Sequence, residues 1–385
     1  MNKHFFVVLL LLSLAFQTKI QAQQLSKEAI VSILTCNSGE EVYSMYGHSA
    51  IRIKDPESNL DVVFNYGVFS FEGPHFLYRF AKGLTDYRID AGRFVGFIPE
   101  YEEEKRSVYE QVLDLSPEGK TKLFQALIEN NKPENRVYRY NFFTDNCATR
   151  VRDMLERNSG GAIHFPGLQS KESYRSLIKK YHNPFRWFDL GIDLLVGKKA
   201  DEPIAAYQQM FLPEYLYNQL SMAKITESGQ TRPLVLKTNT LLEYPSNKQK
   251  SDFPFPLLIF GIIFLLITSI SIWGIFKKKK MVWIDYILFS LSGLAGLIIG
   301  WFTLYSEHPA VSPNYNLLWA FPLNLFFAII LMTKKLGNYT RYYFFLTTSF
   351  LLISLVSGQQ FNPSVYLIIM TLLVRNIINL IPAKK

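Results

Sequence analysis

Three short segments carry residues that could do chemistry together: "TDNCATRVRDML" (144–155), "YSMYGHSAIRI" (43–53) and "VFNYG" (63–67). Cys147 is one of only two cysteines and stands where the chain turns helical. In the first turn of a helix, unpaired amide hydrogens and the positive end of the dipole favour a thiolate. The same amides can receive an oxyanion once the sulfur has attacked a carbonyl. A nucleophilic cysteine needs a base from elsewhere in the chain. The histidines are His4, His48, His75, His164, His182 and His308; His48, directly after a glycine at the start of a strand, is the best placed. A third group should hold the imidazole in one tautomer, and the neighbouring strand offers Asn65.

Each of these residues has a plainer alternative. Cys36 and Cys147 could form a disulfide, because an exported chain meets an oxidising compartment. His48 could be a structural strand-edge histidine, and Asn65 a turn or ladder residue. Tyr46 and Asp145 lie close in sequence to the candidate pair, Tyr46 reading as packing and Asp145 as a helix cap. Other chemistries find no support. There is no G-x-S-x-G elbow and no H-E-x-x-H helix. Two cysteines cannot build a zinc knuckle. We expect no metal and no cofactor.

The elements that must hold these residues read as mixed. "EAIVSILTC", "SAIRIKD" and "LDVVFNYGVFSF" have strand character, with "DPESN" as the turn between the last two. "YEEEKRSVYEQVLDL" is expected to be helical, from Val108 and Val112 one turn apart and Leu115 three further on. "SPEGKTKLFQALIENN" opens with Ser116 as a cap and Pro117 at the first helical position, and Leu123, Phe124 and Leu127 share a face. "NKPEN" breaks it, "RVYRYNFF" is extended, and "NCATRVRDMLE" starts a helix capped by Asp145 or Thr144. "SKESYRSLIKKYH" and "YQQMFLPEYLYNQLSMA" look helical. "FRWFDLGIDLLVG" suggests no catalytic role.

The chain begins with the basic, apolar and small-residue pattern of a secretory signal, with Ala22 as the last residue before cleavage. Residues 23–252 then form an exported domain, and 253–385 a membrane domain with five apolar stretches at about 253–276, 282–304, 317–333, 342–358 and 364–381. "KKKK" at 277–280, Lys334, Lys335, Arg341, Lys384 and Lys385 all fall on one side of these stretches. The loops "YSEHPAVSPNYN" and "SGQQFNPS" on the other side contain no Lys or Arg. The positive-inside rule puts the basic set in the cytoplasm and residues 23–252 in the periplasm of a multi-pass inner-membrane protein. Residues 253–385 hold ten Lys or Arg against two acids, most of the chain's net charge of +9. The basic total therefore marks cytoplasmic loops and gives no reason to expect nucleic acid.

"YSMYGHSAIRI", "FNYGVFSF" and "YRYNFFTDNCATRVRD", followed by a helical membrane block, resemble the Lnb-type lipoprotein N-acyltransferases. The order of a histidine strand before an Asn-Cys helix is also similar to the permuted papain-like enzymes of the NlpC and lecithin–retinol acyltransferase type. The resemblance implies an α+β fold, a permuted papain-like exported domain followed by an all-α block of about five transmembrane helices. It makes Cys147 the nucleophile, His48 the base and Asn65 a weaker third member. The implied reaction moves an acyl chain from a lipoprotein's diacylglyceryl group to its N-terminal amine, so the expected partners are diacylated lipoproteins or a phospholipid acyl donor, and membrane lipids. Glu307 and His308, in the 305–316 outer loop, would then join Tyr46 and Asp145 as substrate-binding candidates. Two other readings stay open: a periplasmic cysteine hydrolase, either a phospholipase or a peptidoglycan amidase/endopeptidase, and a non-enzymatic membrane scaffold.

Overall fold

The computed structural model describes residues 24–69, 75–167, 170–245, 253–332 and 339–381. The expected signal segment and Lys334, Lys335, Lys384 and Lys385 lie outside them. The exported part is built on a seven-stranded antiparallel sheet in the order β10-β5-β1-β2-β3-β4-β6. Its central strands are β1 (Ile30–Cys36), β2 (His48–Asp55) and β3 (Leu60–Val68), which form where β-branched residues are dense. They are flanked by β4 (Asp86–Arg93), β5 (Val108–Leu113), β6 (Val137–Arg139) and β10 (Val235–Leu242). A smaller sheet of β7 (Ala162–His164), β8 (Lys224–Glu227) and β9 (Gln230–Pro233) stands apart.

Helices α1 (Phe76–Lys82), α2 (Phe94–Glu103), α3 (Pro117–Asn130), α4 (Cys147–Asn158), α5 (Tyr174–Lys179), α6 (Arg186–Leu195) and α7 (Pro213–Met222), with single turns at Lys198–Asp201 and Ala206–Gln209, complete this part. Alternation along the strands divides the core between two faces. On one, Ile33, Ile51, Phe64 and Tyr66 pack with Leu123 and Leu127 of α3 and Val151 and Leu155 of α4. On the other, Leu34, Ala50 and Val63 are covered by Phe97 and Tyr101 of α2. Ser116 accepts the Gly119 amide and Pro117 opens α3, as its sequence predicts.

The expected helix over "YEEEKRSVYEQVLDL" is a correction. The structure ends α2 at Glu103 and sends Val108–Leu113 between β1 and β10 as β5. Val108 and Val112 are spaced for one helical turn, but they fit a period of two equally well. Pairing with two strands, rather than local propensity, decides the outcome.

The C-terminal part is helical. Helices α8 (Phe255–Phe276), α9 (Val282–Tyr305) and α12 (Pro363–Leu380) are long and apolar enough to cross a membrane. The remaining apolar stretches form α10 (Leu323–Met332) and α11 (Tyr339–Val356), on either side of the undescribed residues 333–338. Inside this block Arg375 makes a bidentate pair with Asp285, at 2.8 and 2.9 Å, and donates to Ser271 Oγ at 2.8 Å. A planar guanidinium suits such a site because every donor can be matched.

Candidate active site

Cys147 is the first residue of α4, and Asn146 is the cap: its Oδ1 accepts the Thr149 amide at 3.0 Å while Thr149 Oγ1 accepts the Asn146 amide at 2.8 Å. The cap thus falls one residue after Asp145 and two after Thr144, the two expected positions. A second use of the side chain explains this, since Asn146 Nδ2 also donates to the carbonyls of Phe142 and Phe211, both at 2.8 Å. An aspartate has no hydrogens for those carbonyls. Asp145 instead takes a bidentate grip on Arg150, with Nη2 at 2.6 Å from Oδ2. The Arg150 guanidinium lies over the Tyr138 ring, 4.1 Å from its centroid.

β2 delivers His48 to Cys147, and β3 delivers Asn65. The strands pair with Ala50 opposite Asn65, so His48 is the diagonal neighbour of Asn65 on one face. His48 Nε2 lies 3.2 Å from Asn65 Oδ1. An amide oxygen only accepts, so Nε2 carries a proton and donates it to Asn65, while the ring also bonds Cys147. Two glycines make room. Gly47, at φ 81°, precedes the histidine where a Cβ would come within 2.7 Å of the Cys36 carbonyl oxygen. Gly67, at φ 93°, lies in the β3–β4 bulge with its vacant Cβ position 3.7 Å from Cys147 Cβ. Side chains other than glycine rarely adopt either backbone conformation.

The electrostatics move both groups toward an ion pair. Burial pushes the Cys147 thiol up, but the His48 charge, the His48 hydrogen bond and the amides of Ser49 and Ala148 outweigh it and hold the thiol below its ordinary value. Burial depresses His48, and the Cys147 charge, its hydrogen bond and that from Asn65 more than compensate, raising the imidazole above its ordinary value. The two titrate as a coupled unit. Cys36 is the opposite case. Both cysteines are free thiols. Cys36 is buried at 1% exposure, and desolvation pushes it up to about 12, so it stays protonated.

The other candidates are engaged by protein groups. Glu307 and His308 join α9 to α1. The Glu307 amide donates to Lys82 O at 2.8 Å, His308 Nε2 donates to Phe80 O at 3.0 Å, and Ser306 Oγ donates to Ala81 O at 2.9 Å. These bonds satisfy the last carbonyls of α1. The Glu307 carboxylate is 3.7 Å from Arg139 at the end of β6. Tyr46, two residues before His48, contacts a histidine that the motifs did not single out. Its hydroxyl is 2.7 Å from His182 Nε2, and His182 Nδ1 is 2.9 Å from Asp189 Oδ1. No local pattern around His182 announces this; the only cue is Asp189 in the first turn of α6.

Among the described residues no group of three or more His, Cys, Asp or Glu is arranged to hold a metal ion. A cavity of about 270 Å³ lies beside the 277–280 loop, lined by Lys280, Asp285, Arg341 and Asn379. It shares no residue with the Cys147 site. What that site can do is nucleophilic acyl chemistry: an activated sulfur, an acid–base imidazole, an orienting amide and helix amides for an oxyanion. Comparison with known families agrees with the two-part architecture. The family model for the Lnb N-terminal periplasmic domain matches residues 16–180, and that for the Lnb transmembrane domain matches residues 248–385. No curated protein and no solved structure matches the chain. With a periplasmic domain and a transmembrane domain of one family in succession, the chain belongs to the Lnb-type family of membrane proteins that act in lipoprotein modification.

Proposed function

We propose that the protein is a cysteine acyltransferase that moves an acyl chain from the diacylglyceryl group of a lipoprotein to its N-terminal amine. The observation that carries this reading is the Cys147–His48–Asn65 constellation on a domain joined to membrane helices. The domain then faces the periplasm, and the helical block crosses the inner membrane five times.

In the first step Cys147 Sγ, its thiolate supported by the Ser49 and Ala148 amides, attacks the ester carbonyl, and the oxyanion is met by amide hydrogens of the first turn of α4. His48 protonates the leaving glycerol oxygen, giving the lyso form and a thioester on Cys147. In the second step the amine attacks the thioester, its proton passes to His48, and the thiolate is regenerated. Asn65 keeps the imidazole turned toward the sulfur in both steps. A membrane block in the same chain supports acyl transfer over hydrolysis, because it presents lipid-anchored substrates and limits water.

The test is intact-protein mass spectrometry of wild type and Cys147→Ala, each incubated with a diacylated lipopeptide. A hydroxylamine-labile gain of one acyl mass on wild type only, with N-acylated lyso-lipopeptide as product, is expected. An adduct that releases only free fatty acid would assign the protein to the hydrolases.

A further inference from the structure

We infer that Tyr46, His182, Asp189 and Asn362 form a positioning relay that ties the acyl-transfer centre to the last membrane helix. The inference rests on the function proposed above. Each link is short: Tyr46 Oη to His182 Nε2 at 2.7 Å, His182 Nδ1 to Asp189 Oδ1 at 2.9 Å, and Asn362 Nδ2 to Asp189 Oδ2 at 2.9 Å. His182, Asp189 and Asn362 are 1%, 9% and 7% exposed, so water cannot readily replace a lost partner.

Both ends of the chain are anchored. Tyr46 leads through Gly47 to His48, and the close approach of Gly47 to the Cys36 carbonyl leaves that link little freedom. The Tyr46 ring also packs on Phe142, 4.6 Å between centroids, and the Phe142 carbonyl holds the side chain of Asn146. One tyrosine therefore touches the segment before the histidine and the segment before the cysteine. At the far end Asn362 caps α12, its Oδ1 accepting the Ser364 amide at 3.1 Å.

Between the ends, α6 is seated on the membrane helices. Leu190 packs with Ile299, Trp319, Phe361 and Val365. Asn314 donates to the carbonyl of Leu194 at 2.8 Å, and Asn316 donates to those of Asp193 and Leu194 at 3.2 Å. A Tyr–His–Asp chain buried only to stabilise the exported domain would not need to end on a membrane helix cap. Its course fits a role in holding His48 and Cys147 in register with that block.

The experiment uses full-length protein in nanodiscs and two variants that keep most packing, Tyr46→Phe and Asn362→Ala, with their double variant. Turnover of a diacylated lipopeptide is measured beside the rate of Cys147 alkylation by iodoacetamide in a Cys36→Ser background. We expect each single variant to lower kcat roughly tenfold, about the loss of one buried hydrogen bond, with KM unchanged. The double variant is expected to be no worse than the poorer single, as for members of one chain. Wild-type kcat in both singles, multiplying losses in the double, or losses confined to KM would overturn the relay. Alkylation separates this result from the substrate assignment. If wild type turns over no lipopeptide but Tyr46→Phe and Asn362→Ala both slow alkylation, the relay stands and the proposed reaction fails.

Discussion

His48 and Asn65 meet across β2 and β3, Nε2 to Oδ1 at 3.2 Å, so the sheet itself fixes which imidazole nitrogen is held by the orienting amide. A one-residue slip between these strands would turn Asn65 to the opposite face. The tautomer is therefore a property of strand register, and the register is locked by Ile51 and Phe64, paired and fully buried on the helix side.

Asn65→Ala should keep the fold and lose orientation. The expected result is a fall in kcat on a diacylated lipopeptide of roughly ten- to a hundredfold, with Cys147 still open to alkylation. An unchanged kcat would remove Asn65 from the site.

The pH dependence of Cys147 alkylation follows the thiolate fraction. Because the folded thiol is held below its ordinary value of 9.0, the rate should rise and level off on the acid side of that value. His48→Ala leaves the burial that pushes the thiol up and removes the charge that pulls it down, so the midpoint should move toward higher pH. In turnover the raised His48 supplies the opposite limb, with activity falling as pH climbs through a value above 6.5 and the imidazolium is lost. Identical alkylation profiles for wild type and His48→Ala would show that the two residues do not interact.

Asn146→Ala removes a cap and strips the donors from the Phe142 and Phe211 carbonyls. We expect about 1–3 kcal/mol of destabilisation, read from denaturant unfolding of the exported part. Asn146→Asp should recover the cap alone. Equal stability of both variants would mean that the two carbonyl bonds contribute most of the loss.

Arg175 is fully buried and pairs with Asp193 and Asp201, both at 2.6 Å. Arg175→Met takes the guanidinium from both carboxylates, leaving Asp193 with Lys179 at 2.6 Å and Asp201 with the Gln360 amide at 3.1 Å. Roughly 3–5 kcal/mol should be lost, seen as a lower thermal midpoint and early proteolysis around α5 and α6. Wild-type stability would show that water reaches the site.

Membrane sidedness can be read by impermeant thiol reagents in a Cys36→Ser, Cys147→Ser background. Lys279→Cys should be labelled only after cells are opened, and Gln360→Cys in intact spheroplasts. Reversed labelling would invert the assigned topology.

The candidate triad was legible because its signals are local. A glycine before a strand histidine, an Asn-Cys at a helix start and a strand asparagine each declare themselves within a few residues. The central strands and the Ser116 cap were legible for the same reason. β5 was not, because Val108 and Val112 satisfy helical and strand spacing alike and their partners lie more than sixty residues away in β1 and more than a hundred away in β10. The role of His182 was not legible for a similar reason. Its hydroxyl partner is 136 residues back, and the carboxylate that orients it is tied to an amide 173 residues further on. Side chains that join domains leave no periodic trace in either one.

The seating of α6 also bears on biosynthesis. Asp189 and Asp201 find their distant donors at Asn362 and at the Gln360 amide, both in the segment leading into α12. An exported domain emerges from the translocon long before that segment is made. Until α12 inserts, its docking face carries carboxylates without those donors, while the 306–316 segment already holds it to the helical block. Arrival of the final helix then supplies the last of the donors, so the order of translation sets the order in which the protein's two halves come to fit.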